Sequence, residues 1–127
     1  MDEKTFKART KKLAVNIINQ VDKLPDTRSV NAIANQLVRS GTSIGANYRA
    51  ACRAKSTPDM INKLKIVEEE SDETMYWLEI LVEAGLIPRE QIKDIYNETN
   101  EILAMTIASI KTLRNRKNQS SISNRKS

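Results

Sequence analysis

Residues 40–81 read SGTSIGANYRAACRAKSTPDMINKLKIVEEESDETMYWLEIL and join two helical patterns through one short turn. The first half is rich in small residues, and Gly41 and Gly45 lie four apart, which places them on one helix face. Each glycine costs a helix about 1 kcal/mol relative to alanine, so two on one face indicate a close helix crossing. The second half carries a run of carboxylates within an otherwise apolar pattern. We therefore expect this stretch to decide how the helices pack.

The turn inside this stretch carries a start signal for the second of its two helices. Thr57 is suited to cap the helix, Pro58 fits its first position, and Asp59 favours the positive end of the helix dipole. Gly85 is suited to the position just after a helix end. The sequence therefore predicts a helix over residues 58–84.

Apolar residues at helical spacing predict three further helices outside residues 58–84. The first has about 20 residues and ends at Leu24-Pro25-Asp26-Thr27, because proline lacks a backbone donor. The second runs from residue 29 to residue 54, and the last opens at Pro88 and ends near Asn115. Residues 116–127, RKNQSSISNRKS, are polar, basic and aperiodic. We expect one domain over residues 1–115 and a disordered basic tail over residues 116–127.

Four amphipathic helices with short connections predict an all-α, antiparallel up-down-up-down four-helix bundle. A longer helical hairpin completed by another chain is the alternative. No apolar run approaches the roughly 20 residues that span a bilayer, and the charged N-terminus does not resemble a secretory signal. The single cysteine, Cys52, allows no intrachain disulfide, which suits a reducing compartment. We expect a cytoplasmic protein with no membrane partner.

The predicted topology gives the charges an uneven distribution. One end of the bundle would collect the start of helices one and three and the end of helices two and four. With the tail, this end holds 16 of the 21 basic residues and three of the 16 acidic ones, for a net charge of +13 against −8 elsewhere. Clustered Lys and Arg attract polyanions, above all nucleic acids. The candidate nucleic-acid contacts are Lys4, Lys7, Arg9, Lys11, Lys12, Arg49, Arg53, Lys55, Lys111, Arg114, Arg116 and Lys117.

The chain lacks histidine, which removes many catalytic and metal-site options. A di-iron site of the ferritin type needs Glu-x-x-His pairs, and Cys52 has no histidine to activate it. We expect no catalytic residue, no metal and no cofactor.

The carboxylates of helix three fit a structural role better. Counting residues from the turn sets Glu68 and Glu69 opposite Ser43, within a turn of Asn47. We expect a buried or half-buried polar layer in which these residues or Asp72 meet, with Thr106 from helix four at a similar level. Such a layer costs core stability but fixes register or partner choice.

Two segments, SIGANYRAACRAKS (residues 43–56) and KLKIVEEESDETMYWLEILVEAGLI (residues 63–87), carry a family resemblance. They resemble the four helix bundle proteins encoded in intervening sequences of bacterial 23S ribosomal RNA genes. The resemblance implies a small cytosolic bundle that forms a barrel-shaped homopentamer, and it supplies no catalytic residue. Similar accessory variability proteins of retroelements bind nucleic acid and a reverse transcriptase. The matching positions, interpreted as packing and interface determinants, are Ser43, Gly45, Asn47, Arg49, Arg53, Glu69, Asp72, Glu73, Trp77 and Glu79.

Two functions remain open at this point. The first is a non-catalytic, homo-oligomeric protein that binds RNA or DNA with low sequence specificity. The second is a protein-interaction scaffold, or accessory subunit, that docks a polymerase-type partner and has no direct nucleic-acid role. An enzyme is not expected.

Overall fold

The computed structural model describes the backbone of residues 2–126 and the side chains of residues 2–116, 118 and 119. Its four α-helices are α1 (Glu3–Val21), α2 (Arg28–Cys52), α3 (Thr57–Glu83) and α4 (Lys93–Lys126), with a 3-10 turn at Arg89–Gln91 between the last two. No strand occurs within residues 2–126. The prediction of an all-α four-helix bundle is confirmed. No helix in this range has both the length and the apolar character needed to cross a membrane.

The start of α3 corrects one detail of the prediction. Ser56, not Thr57, caps the helix, since its hydroxyl accepts a hydrogen bond from the backbone N–H of Asp59 at 3.2 Å. Thr57 is already helical. Gly85 lies just beyond α3 with a φ of 71°, a left-handed conformation that favours glycine, as predicted.

The two ends of α4 also differ from the prediction. Pro88 opens the 3-10 turn and not the α-helix, which begins five residues later at Lys93. At the other end the helical backbone continues to Lys126, where a disordered tail is expected. Extending an existing helix adds a hydrogen bond per residue without a new nucleation step, so a polar segment can continue it without packing. Ser127 lies outside the described residues.

The core forms where α2 packs on α1 and α3 and where α3 packs on α4, and α1 packs on α4 over a smaller contact. Its members are mainly aliphatic, because the helices place one apolar residue per turn toward the same axis. The fully buried large side chains are Phe6, Leu13, Ile17, Leu37, Ile44, Leu64, Leu78, Leu81 and Ile102.

The close crossing predicted for the two glycines lies between α2 and α1. A Cβ atom added at Gly45 would stand 3.1 Å from the hydroxyl oxygen of Thr10, and one added at Gly41 would collide with Cδ1 of Ile17. From the Gly41–Ile17 pair to the Gly45–Thr10 pair, the contact moves toward the C-terminus of α2 and toward the N-terminus of α1, so the two helices run in opposite directions here. The glycines therefore let two backbones approach closely over more than one turn.

The polar layer predicted between α2 and α3 is absent from the described residues, and that prediction is wrong. The Ser43 hydroxyl donates to the backbone oxygen of Arg39 at 2.7 Å, and the Asn47 amide donates to the backbone oxygen of Ser43 at 2.8 Å. Thr106 likewise donates to the Ile102 backbone oxygen at 2.7 Å. Short polar side chains can satisfy themselves on the preceding turn of their own helix, so they need no carboxylate partner.

Hydroxyl groups form the buried polar contacts of the core instead. Thr74 and Ser40, both 0% exposed, lie 3.0 Å apart through their hydroxyl oxygens and join α3 to α2. Ser71, Thr99 and Thr10 are also buried, and each donates to a backbone oxygen of its own helix. In the register obtained by counting residues from the turn, Ser40 lies opposite residues 71–72, so the Thr74–Ser40 contact differs from that register by two or three residues.

The crossing of α1 and α2 generates a stability prediction. We expect Gly41→Ala to destabilise the protein by about 1–3 kcal/mol, because overpacking against Ile17 outweighs the roughly 1 kcal/mol gain in helix propensity. Urea unfolding measures the change. The matched control is the same substitution in an Ile17→Val background, which removes the Cδ1 atom that the new methyl group meets. There Gly41→Ala should be neutral or stabilising, and an equal loss in both backgrounds contradicts the close crossing.

Candidate nucleic-acid interface

At one end of the bundle, the ends of α1, α2 and α3 meet the distal part of α4, which continues past Arg116 to Lys126. A cavity of about 580 Å³ is lined there by Glu3 from α1, Cys52 from α2, Met60 from α3 and Arg116 from α4. The first turns of α1 and α3 therefore lie beside the last turns of α2 and the distal part of α4. We call this surface the basic end and define it by the candidate contacts named from the sequence, with the exception of Arg9.

Most of the candidate contact residues are exposed to solvent. The exposed ones are Lys4, Lys11, Lys12, Arg49, Arg53, Lys55, Lys111, Arg114 and Arg116, whereas Lys7 and Arg9 are half-buried. The side chain of Lys117 lies outside the described residues.

The three acidic residues of this end each have a local partner. Asp2 caps α1, Glu3 pairs with Lys7 at 3.0 Å, and Asp59 accepts from the Lys55 backbone N–H at 3.2 Å. Acidic side chains therefore offset the positive potential of the exposed cations only weakly at this surface.

Arg9 does not belong to this surface. Its guanidinium binds Glu98 at 2.6 Å and Glu101 at 3.2 Å, and it contacts the sulfur of Met105 at 3.4 Å. The hydrogen bond to Glu98 raises the pKa of Arg9, and the same bond holds the pKa of the Glu98 carboxyl below its ordinary value. Arg9 is thus a cross-link between α1 and α4. Sequence order hides it, because counting residues assigns Glu98 and Glu101 to the opposite charge half.

A second arginine cross-link joins α2 to α3, and the sequence pattern does not predict it. Arg39 binds Glu70 at 3.2 Å and also contacts Glu73. Burial raises the pKa of Glu70 in spite of this partner, while the hydrogen bond to Glu73 raises the pKa of Arg39. Glu69 and Asp72, both expected in the polar layer, are exposed. The sequence signal that could have found this cross-link is the spacing of Glu70 and Glu73, which lie three apart and therefore share one face of α3.

The aromatic residues of α3 lie away from the basic end. Tyr76 is 53% exposed and packs edge-on against Trp77, with ring centroids 5.1 Å apart. The indole N–H of Trp77 is buried and has no hydrogen-bond partner among the described residues. Glu79 accepts a hydrogen bond from the Tyr96 hydroxyl at 3.0 Å, at the edge of a second cavity of about 530 Å³. Burial, followed by this bond, raises the pKa of Tyr96.

The cavity at the basic end has apolar walls and a polar rim. Tyr48 closes its floor and packs edge-on against Phe6, with ring centroids 4.4 Å apart. Burial raises the pKa of the Tyr48 hydroxyl and of the Cys52 thiol, so the cysteine is a neutral thiol near pH 7. Among the described residues no cluster of acidic or cysteine side chains could hold a metal ion.

Comparison with known proteins identifies the family. The model of the family named 23S rRNA-intervening sequence protein matches residues 4–108. The chain belongs to this family. A crystal structure of a protein of unknown function from the S23 ribosomal protein family of Bacteroides thetaiotaomicron is similar, with 41% sequence identity and a TM-score of 0.80. That match covers 87% of this chain and 99% of the other. No curated protein matches the sequence. The resemblance stated from residues 40–87 is therefore confirmed, and the 23S rRNA-intervening sequence family brings no assigned activity.

The Arg9 cross-link generates a pH prediction. Because the pKa of Glu98 is lowered from 4.5 in the folded chain, its ionised form stabilises the fold above that value. The contribution is lost as the pH falls through the lowered pKa. We expect Glu98→Gln to cost about 1 kcal/mol at neutral pH, because the pair is only partly screened by solvent. The cost should shrink as the pH falls through the lowered pKa of Glu98.

Urea unfolding of wild type and variant, from neutral to acidic pH, measures the difference in their free energies of unfolding. The matched control is Glu101→Gln, whose side chain is 67% exposed and should contribute less. A cost for Glu98→Gln that stays constant with pH contradicts the ion-pair explanation.

Proposed function

We propose that this protein is a non-catalytic, homo-oligomeric RNA-binding protein of low sequence selectivity that contacts phosphates with its basic end. The observation that carries the proposal is the meeting of three helix ends with the distal part of α4 at one surface, where nine exposed Lys and Arg side chains face solvent. Each of the three acids there is engaged in a helix cap, an ion pair or a loop hydrogen bond. Such a surface attracts a phosphate backbone at long range.

Low selectivity follows from the kind of side chain at the basic end. Lys and Arg that contact phosphates position a nucleic acid but carry no direct sequence information. The aromatic residues nearest this end, Phe6 and Tyr48, are 0% and 4% exposed and cannot serve as an open stacking platform. Binding should therefore depend strongly on salt and weakly on sequence.

We also propose the antiparallel up-down-up-down order and a homo-oligomeric barrel, with five copies as the family resemblance implies. The paired contacts of α1 with α2, and the cavity lined by residues of all four helices, support the helix order. Four large apolar side chains support self-association because they remain about half exposed in the single chain. They are Val15 (49%), Ile18 (42%), Tyr76 (53%) and Ile107 (48%).

A second candidate function is that of a protein-interaction scaffold. Tyr76 favours it, because an exposed tyrosine packed on Trp77 resembles the aromatic anchors of protein interfaces. In that case a polymerase-type partner would dock on α3 and the basic end would have no direct role. A protein that co-purifies after nuclease treatment, and is lost with Tyr76→Glu, would favour this function.

Charge reversal tests RNA binding directly. We expect substitution of Lys111, Arg114, Arg116 and Lys117 by Glu to abolish a mobility shift with RNA at about 50 mM salt, because phosphates are then repelled. Binding by the wild type should fall steeply as the salt concentration rises to about 200 mM.

The matched control reverses four exposed basic residues elsewhere, Lys23, Arg28, Arg89 and Lys93. It changes the net charge equally, so it separates a local surface from total charge. Equal losses in the two variants would show that overall charge and not the basic end attracts RNA. Absence of any shift at low salt would contradict the proposed function itself.

Self-association has its own test. Light scattering after size exclusion should give a mass that is a multiple of the 14.4 kDa chain, with five copies expected from the resemblance. Val15→Glu with Ile18→Glu should lower that mass, since buried carboxylates without partners oppose association. Asn16→Glu with Asn19→Glu adds the same charge at exposed polar positions of α1 and should leave the mass unchanged. A monomeric wild type contradicts the proposal.

A further inference from the structure

The cavity at the basic end is the feature that phosphate binding alone does not explain. Its volume of about 580 Å³ falls within the range of small-molecule sites. The lining residues are Glu3, Tyr48, Cys52, Met60, Leu64, Met105, Ala108, Ser109, Thr112, Leu113 and Arg116. Exposed cations can bind phosphates without a recess between them, so the cavity calls for a separate explanation.

The walls and the rim of this cavity differ in chemistry. Met60, Leu64 and Met105 offer flexible apolar surface, and methionine sulfur makes favourable contacts with aromatic rings. Hydroxyl and carboxylate groups stand at the rim. Glu3 is one of them, held by Lys7 at 3.0 Å, and Thr112 donates to the Ala108 backbone oxygen at 3.0 Å, which leaves its oxygen lone pairs available. This arrangement suits a flat, apolar ring with polar edges.

The positive charge around the opening of the cavity indicates which ring-shaped ligands would bind there. Arg116 lines the cavity itself, and Lys4 and Lys111 each lie next in sequence to a residue that lines it. A ligand attached to a negatively charged backbone fits this setting better than a neutral one, because the cations are already in place.

We propose that the cavity holds a base of single-stranded RNA, with the adjoining phosphates on Arg116 and the neighbouring lysines. This assignment rests on the proposed function, since it names the form of RNA that the basic end takes. A base in a duplex reaches such a recess only after unpairing and unstacking, which costs binding energy. The protein therefore prefers single strands to duplexes while remaining tolerant of sequence, because every base has an apolar face.

A fluorescence experiment on the full chain tests the proposal. The probe is an oligouridine strand with one central 2-aminopurine, used alone and annealed to its complement. Ala108→Phe and, independently, Thr112→Phe place a ring in the cavity from exposed positions of α4, so the fold should tolerate them. The control is Ala104→Phe, an exposed position one turn away that does not line the cavity.

With wild type we expect the probe's fluorescence to rise on binding and the single strand to bind more tightly than the duplex. Ala108→Phe and Thr112→Phe should abolish the rise and weaken single-strand binding about tenfold, because the base can no longer enter the cavity. Their salt dependence should stay that of wild type, because no phosphate contact is removed. Ala104→Phe should behave as wild type.

Three outcomes overturn this assignment while leaving the proposed function intact. The first is salt-sensitive binding that is equal in all three variants without a rise in fluorescence. The second is tighter binding of the duplex, and the third is a small molecule that co-purifies in the cavity and is not displaced by the strand. No binding of either probe at low salt instead contradicts the proposed function as well.

Discussion

The approach of α1 and α2 at two glycines is the constraint on which the rest of the bundle depends. Because Gly41 and Gly45 carry no Cβ, Ile17 and Thr10 can sit directly against the α2 backbone. That contact sets the level of α1, and through it the positions of Phe6 on Tyr48 and of Arg9 beside α4. The floor of the basic-end cavity and the α1–α4 cross-link both follow from this one crossing.

Charge in this protein serves two purposes that sequence order does not separate. Arg9 and Arg39 each bind two carboxylates of another helix and hold neighbouring helices together. Nine other Lys and Arg side chains of the basic end stay exposed and are available to a polyanion. Partly buried arginine suits the first purpose, because its planar guanidinium can satisfy two acids at once. A count of basic residues therefore overstates the number of cations available to a ligand, because it includes arginines that bind carboxylates within the fold.

The outcome of the polar-layer prediction shows where reasoning from residue counts fails. Counting from the turn sets Glu68 and Glu69 beside Ser43, whereas Thr74 meets Ser40 and the acids next along α3 reach Arg39. The error along the helix axis is only two or three residues, and the larger error concerns the face, because Glu69 and Asp72 lie on the exposed side of α3. Ser43 and Asn47 need no partner across the interface, because each bonds to its own helix. Helix bounds, by contrast, are predicted within a few residues, except at Lys93 and beyond residue 115.

The sequence by itself determined the all-α class, the turns at Pro25 and Gly85, the close crossing at Gly41 and Gly45, and the family through residues 40–87. These follow from local rules of spacing, capping and backbone freedom, which act within one or two helical turns. Only the tertiary structure decided the level at which helices meet, the partners of Arg9 and Arg39, and the recess between Tyr48 and Met105. Those features depend on how side chains from distant segments fill shared volume, and the spacing along one helix does not contain that information.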